Sequence, residues 1–98
     1  MPTYEVTDTF KKDLSVLDRE DRRRLDTAIR AFVADLGAPD HGFRAGLRVK
    51  RVQGTDGIFE MSWAPDGRAT FQYGKELRVG EPHVMWRRVG THDIFSRP

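Results

Sequence analysis

The spacing of apolar residues changes once along this chain, from a period near 3.6 to a period of 2. Thr3 to Val6 is short and β-prone. Phe10, Leu14 and Leu17 follow at spacings of four and three, one face of a helix that Thr7 or Asp8 can cap. Asp18 caps a second helix, with Glu20 and Asp21 in its first turn, where the helix dipole favours acid. The apolar face of that helix is Leu25, Ile29, Phe32, Val33 and Leu36; Gly37 stops it and Pro39 follows. The two segments form a helix hairpin.

Ala38 to Gly46 reads as a loop, and from residue 47 onward the pattern alternates. Strands are predicted over Leu47 to Gln53, Ile58 to Ala64, Arg68 to Tyr73 and His83 to Val89, with Gly54-Thr55-Asp56-Gly57 and Pro65-Asp66-Gly67 as turns. Gly74 to Pro82, of mixed polarity, reads as a loop. Links this short predict an antiparallel meander. Phe59, Met61 and Trp63 share one face with Ala69, Phe71 and Tyr73, and should pack under the helices. Ile58, Glu60 and Ser62 oppose them, with Arg68, Thr70 and Gln72. In the first strand Arg48 and Lys50 fall on one face and Leu47 and Val49 on the other. In the last strand one of Arg87 and Arg88 must join the polar face, and Arg87 is preferred. Two helices cover only one sheet face, so the polar face should be open. The expected fold is α+β: a short N-terminal strand, a two-helix hairpin, then an antiparallel meander sheet with helices on one face, a single domain over residues 1–98.

Composition narrows the function. The chain is 38% hydrophobic and 33% charged, enough for a modest core under a well-solvated surface. The formal net charge is only +2, so any phosphate site must be a local cluster rather than a whole-chain field. Arginine far outnumbers lysine, which favours bidentate phosphate contacts, although genome base composition produces the same bias. Cysteine is absent, which excludes disulfides, thiolate nucleophiles and thiolate zinc sites, and is compatible with a reducing cytoplasm. The N-terminus lacks the layout of a signal peptide. The most apolar window, Ala28 to Leu36, is interrupted by Arg30 and Asp35, so no membrane span is expected.

The polar face collects Lys50, Arg68 and Arg87 among Glu60, Ser62, Thr70 and Gln72. A shallow cationic concavity of this kind suits a single-stranded nucleic acid better than a small buried ligand. A wet antiparallel sheet face also carries polar residues for no functional reason. The segment HVMWRRVGTHDIFSRP, His83 to Pro98, brings two arginines and an imidazole to one edge of the sheet, the groups needed to hold a phosphate and move a proton beside it. His41, His83 and His92 show no metal-ligand spacing, and no metal site is expected. Gly54, Gly57 and Gly67 are turn residues rather than a phosphate loop, and Arg22-Arg23-Arg24 is most simply a solvated helix face.

The order of strand, two helices and meander resembles the RelE/ParE family of small bacterial toxins. The stretch LRVKRVQGTDGIFEMSWAPDGRATFQYG is similar to the family's central pattern, and GTHDIF to its ending. The resemblance implies the toxin of a type II toxin–antitoxin pair: RelE-like, a metal-independent and cofactor-free endoribonuclease that cuts mRNA on the ribosome, partnered by a cognate antitoxin. The alternatives within the same resemblance are a ParE-like inhibitor of DNA gyrase with no hydrolytic site, and a non-toxic RNA-binding or interaction module. By position it implies a catalytic set of His92, Arg68, Arg87 and Lys50, and RNA contacts from Arg48, Arg51, Arg88 and Phe95. The chain departs from the family at Ser62, where a further arginine is common nearby, and at Phe95, where several members end in a tyrosine. Phenylalanine can stack but transfers no proton, which makes His92 central to any chemistry.

Overall fold

Thr7 settles where the first helix begins: its Oγ1 accepts from Phe10 N at 3.0 Å, capping α1 (Asp8–Ser15). Asp18 caps α2 (Arg19–Leu36) in the same way, accepting from Asp21 N at 2.8 Å. The computed structural model describes residues 2–37 and 42–98; Pro39 and His41 lie outside them. Four strands follow the helices, and a fifth precedes them: β1 (Thr3–Val6), β2 (Lys50–Arg51), β3 (Phe59–Ser62), β4 (Arg68–Arg78) and β5 (Glu81–Gly90). They form one sheet in the order β1-β5-β4-β3-β2. The meander β2 to β5 is antiparallel as expected, and β1 adds to it in parallel beside β5. Among the described residues no helix is long and apolar enough to cross a membrane.

The core sits between α1, α2 and one sheet face. Phe32 is its centre, with ring centroids 4.9 Å from Phe43, 4.9 Å from Phe71 and 5.1 Å from Trp86. Met61, Ala69 and Phe71 have no exposed surface, and Trp63, Trp86, Leu25 and Phe10 are also buried. The alternation that assigned Met61, Trp63, Ala69 and Phe71 to this face is therefore correct. Tyr73 lies 44% exposed beyond the core.

Three expectations need correction. The strand expected over Leu47 to Gln53 pairs only at Lys50–Arg51, because Ala45–Leu47 is a 3-10 turn and Arg48 takes a left-handed conformation with φ 50°. The loop expected over Gly74 to Pro82 is a hairpin arm, in which β4 continues to Arg78 and β5 begins at Glu81 around Gly80, φ 81°. Residues 73–80 are all exposed, so no core imposes alternation there.

The third correction matters most. The polar sheet face is covered at its centre by the C-terminal segment, where a 3-10 turn, His92–Ser96, folds back over it. Thr70 Oγ1 donates to Pro98 O at 2.9 Å, and Ile94 is buried against Gly90, where a Cβ would stand 3.0 Å from the Ile94 Cγ2 methyl. Thr70 is fully buried and Glu60 nearly so. Ile94 is too apolar to remain in water, and with the helix-side core already filled, this face is where it is buried.

Candidate active site

Register across the sheet aligns Lys50, Glu60, Thr70 and Arg88 in one row. A β-bulge shifts β5 between the pairs Thr70↔Arg88 and Phe71↔Trp86, which leaves Arg87 as the extra residue. The bulge resolves the ambiguity of the last strand, because neither arginine has to enter the core. Arg87 joins the polar face, donating from Nη1 to Gln72 Oε1 at 2.6 Å and from Nε to Pro98 O at 3.2 Å. Arg88 instead reaches α1, with Nε 2.8 Å and Nη2 3.0 Å from the two Asp13 oxygens.

The eight residues singled out from the sequence separate into distinct grooves. Lys50, Arg51 and Phe95 line one groove of about 500 Å³ together with Glu60. His92 joins this group through Phe95, its ring set edge-on to the phenyl with centroids 5.5 Å apart. Arg87 and Arg88 line a second groove of about 570 Å³ with Arg97, on the Pro98 side of the C-terminal segment. Arg48 and Arg68 border a third, of about 520 Å³, between α2 and the 62–68 turn. Arg68 is not an open-face cation: the residue is 7% exposed and its Nη1 donates to the carbonyls of Ala64, Pro65 and Gly67.

The free cations of the first groove are therefore few. Lys50 is 65% exposed and its Nζ lies 4.0 Å from Glu60, a distance at which it remains available to an incoming anion. Arg51 is exposed and has no side-chain partner among the described residues.

One residue absent from the sequence-based set completes the site. Asp66 Oδ1 lies 2.7 Å from His92 Nδ1. A carboxylate only accepts, so Nδ1 carries the hydrogen, and Nε2 has no hydrogen-bond partner among the described residues. From the sequence, Asp66 is one more acidic residue in a Pro-Asp-Gly turn, and no local signal links it to a histidine 26 positions on. The dyad is exposed, with His92 at 57% and Asp66 at 69%. A histidine with an orienting carboxylate and nearby cations are groups that can exchange a proton and hold a phosphate.

No protein-family model matches the chain, and no curated protein sequence matches it. Solved structures do. A chain of the Escherichia coli DinJ–YafQ toxin–antitoxin complex superposes with a TM-score of 0.68 at 16% identity, covering 94% of this chain and 93% of that one. A chain of the RelB–RelE antitoxin–toxin complex from Methanococcus jannaschii gives 0.60 at 14% identity, with 94% of each chain covered. The Helicobacter pylori protein HP0894 gives 0.62 at 14%, covering 95% and 97%. This chain has the RelE-like toxin fold. The likeness covers nearly the whole of each chain.

Proposed function

We propose that the protein is the toxin of a type II toxin–antitoxin pair and acts as a RelE-like, ribosome-dependent mRNA endoribonuclease in the cytoplasm. The observation that carries the reading is the Asp66–His92 hydrogen bond, with the His92 ring edge-on to Phe95, which lines a groove with Lys50 and Arg51. The shared fold supports it, since structures of that fold include toxins held in antitoxin complexes.

In the proposed reaction the ribose 2′-oxygen attacks the adjacent phosphorus, the bond to the 5′-oxygen breaks, and a 2′,3′-cyclic phosphate forms. One proton leaves the 2′-hydroxyl and one reaches the departing 5′-oxygen. His92 Nε2 exchanges one of these protons, while Asp66 holds the Nδ1–H and stabilises the imidazolium. Lys50 and Arg51 offset the charge that develops on the phosphoryl oxygens. Phe95 stacks on a base next to the scissile bond. The cognate antitoxin neutralises the toxin with an acidic or amphipathic segment laid over these cations.

The test is translation-coupled cleavage of a defined messenger, read by primer extension. His92→Gln keeps size and polarity but removes the proton-transfer group, and should lower cleavage by about two to four orders of magnitude. Unchanged cleavage would show the assignment of His92 to be wrong. The internal engagement of Arg68, Arg87 and Arg88 favours a second reading, a ParE-like gyrase inhibitor with few cations to spare. Gyrase-dependent DNA breaks with intact messenger would select it.

A further inference from the structure

Water competes for the hydrogen bond between Asp66 and His92, because both side chains are more than half exposed. Their mutual geometry is therefore only as fixed as the backbones that carry them. The backbone under Asp66 is held on three sides. Trp63 N donates to Gly67 O at 3.1 Å and Gly67 N to Ala64 O at 3.0 Å, closing the turn. The Trp63 indole lies against Gly67 so closely that a Cβ there would come within 2.5 Å of a ring atom. Its Nε1 donates to Arg68 O at 3.0 Å.

Arg68 supplies the third hold. Its Nη1 stands 3.3 Å from Ala64 O, 3.2 Å from Pro65 O and 2.9 Å from Gly67 O. These carbonyls flank Asp66 on both sides, and one nitrogen with two hydrogens serves all three. A guanidinium aimed at a phosphate would stand free in a groove. This one is buried and turned onto the backbone beside it, and it orders the loop that presents the carboxylate.

We propose that Arg68 is a positioning residue, pinning the 64–67 turn so that Asp66 holds the His92 Nδ1–H and leaves Nε2 free to exchange a proton. The catalytic meaning of this role rests on the RNase reading above; its structural content does not. Two sets of measurements keep them separable. In the free protein, imidazole nitrogen NMR reports which nitrogen of neutral His92 carries the hydrogen. The wild type should hold it on Nδ1. Arg68→Met should move it toward the Nε2–H tautomer, as Asp66→Ala should by removing the acceptor. Arg68→Lys should preserve the wild-type tautomer, since an ammonium can donate to the same carbonyls. The buried His83 imidazole, bonded to Thr3 Oγ1 at 2.7 Å and Glu5 Oε2 at 2.9 Å, reports in the same spectrum whether each variant is folded.

Should Arg68→Met unfold, the wild type decides alone. Its Arg68 Nη hydrogens should exchange with solvent far more slowly than those of Arg51, and equal exchange would overturn the clamp. An unchanged His92 tautomer in folded Arg68→Met would overturn it too. In the cleavage assay Arg68→Met should slow turnover about tenfold or more with KM unchanged. The salt dependence of binding to an oligoribonucleotide blocked by 2′-O-methylation should keep its slope. A slope reduced by about one would instead make Arg68 a phosphate contact and refute the proposal. Loss of the Nδ1–H tautomer with no cleavage by any variant would leave the clamp standing and defeat the RNase reading.

Discussion

Arg88 provides a quantitative test of how this fold uses its cations. Asp13 accepts from Arg88 Nε at 2.8 Å, from Arg88 Nη2 at 3.0 Å and from Val89 N at 3.2 Å. The two side chains are 25% and 15% exposed, so the pair is largely withdrawn from water without being sealed. Asp13→Ala strands the Val89 N–H and leaves the guanidinium only the Arg97 carbonyl, 3.3 Å from Nη1. A hydrogen bond to a charged group contributes about 1.5–3 kcal/mol, and breaking a fully buried pair costs about 3–5, so partial solvent access places this loss at about 2–4 kcal/mol. Arg88→Met keeps the aliphatic packing and leaves Asp13 its backbone donor, for a loss of about 1–2 kcal/mol. The double variant should then be less destabilised than the sum of the two by about 1–2 kcal/mol. Urea unfolding of the four proteins measures the cycle directly. In thermal melts, Asp13→Ala alone should lower Tm by about 10–20 °C for a domain of this size. Most of the coupling should survive high salt, because screening acts weakly on pairs withdrawn from solvent. Additivity within about 0.5 kcal/mol would mean that the pair is not formed and that Arg88 is free to bind phosphate after all.

Asp35 is held below its ordinary value of 3.8, to about 2, by hydrogen bonds from the Arg44 side chain and backbone N–H. A depressed carboxyl stabilises the fold above its unfolded value and loses that contribution as the pH falls through the folded one. The Tm gap between wild type and Asp35→Asn should therefore be full near about pH 6 and close between about pH 4 and pH 2, and a gap independent of pH would refute the assignment. Arg48, at φ 50°, occupies a conformation that glycine adopts without cost, so Arg48→Gly should raise stability by about 0.5–1 kcal/mol while weakening RNA binding and flattening its salt dependence. Fluorescence-detected unfolding and a salt titration of RNA affinity check the two halves, and a destabilised variant would show that the left-handed backbone there carries no strain.

The periodicity of the chain determined the α+β class, the two helices with their caps, the antiparallel meander and most of the core. These features depend on short-range patterns: a hydroxyl or carboxylate three residues ahead of an amide, an apolar face repeating every 3.6 or 2 positions. Family resemblance, carried by residue order, singled out His92, Lys50, Arg51 and Phe95; the last three line one groove, and His92 meets it through its contact with Phe95. The tertiary structure decided the rest, because the deciding contacts join residues far apart in the chain. Asp66 meets His92 across 26 positions and Arg88 meets Asp13 across 75, and no local pattern encodes either pair. Whether a given arginine is free or engaged depends on acceptors that only the fold assembles. Arg68 alternates onto the polar face as expected, yet the 64–67 turn supplies three carbonyls that draw it inward. The closing of the polar face by Ile94 and Pro98 follows the same logic, since the short segment from Thr91 to Pro98 after the last strand gives no period to say which surface it will cover.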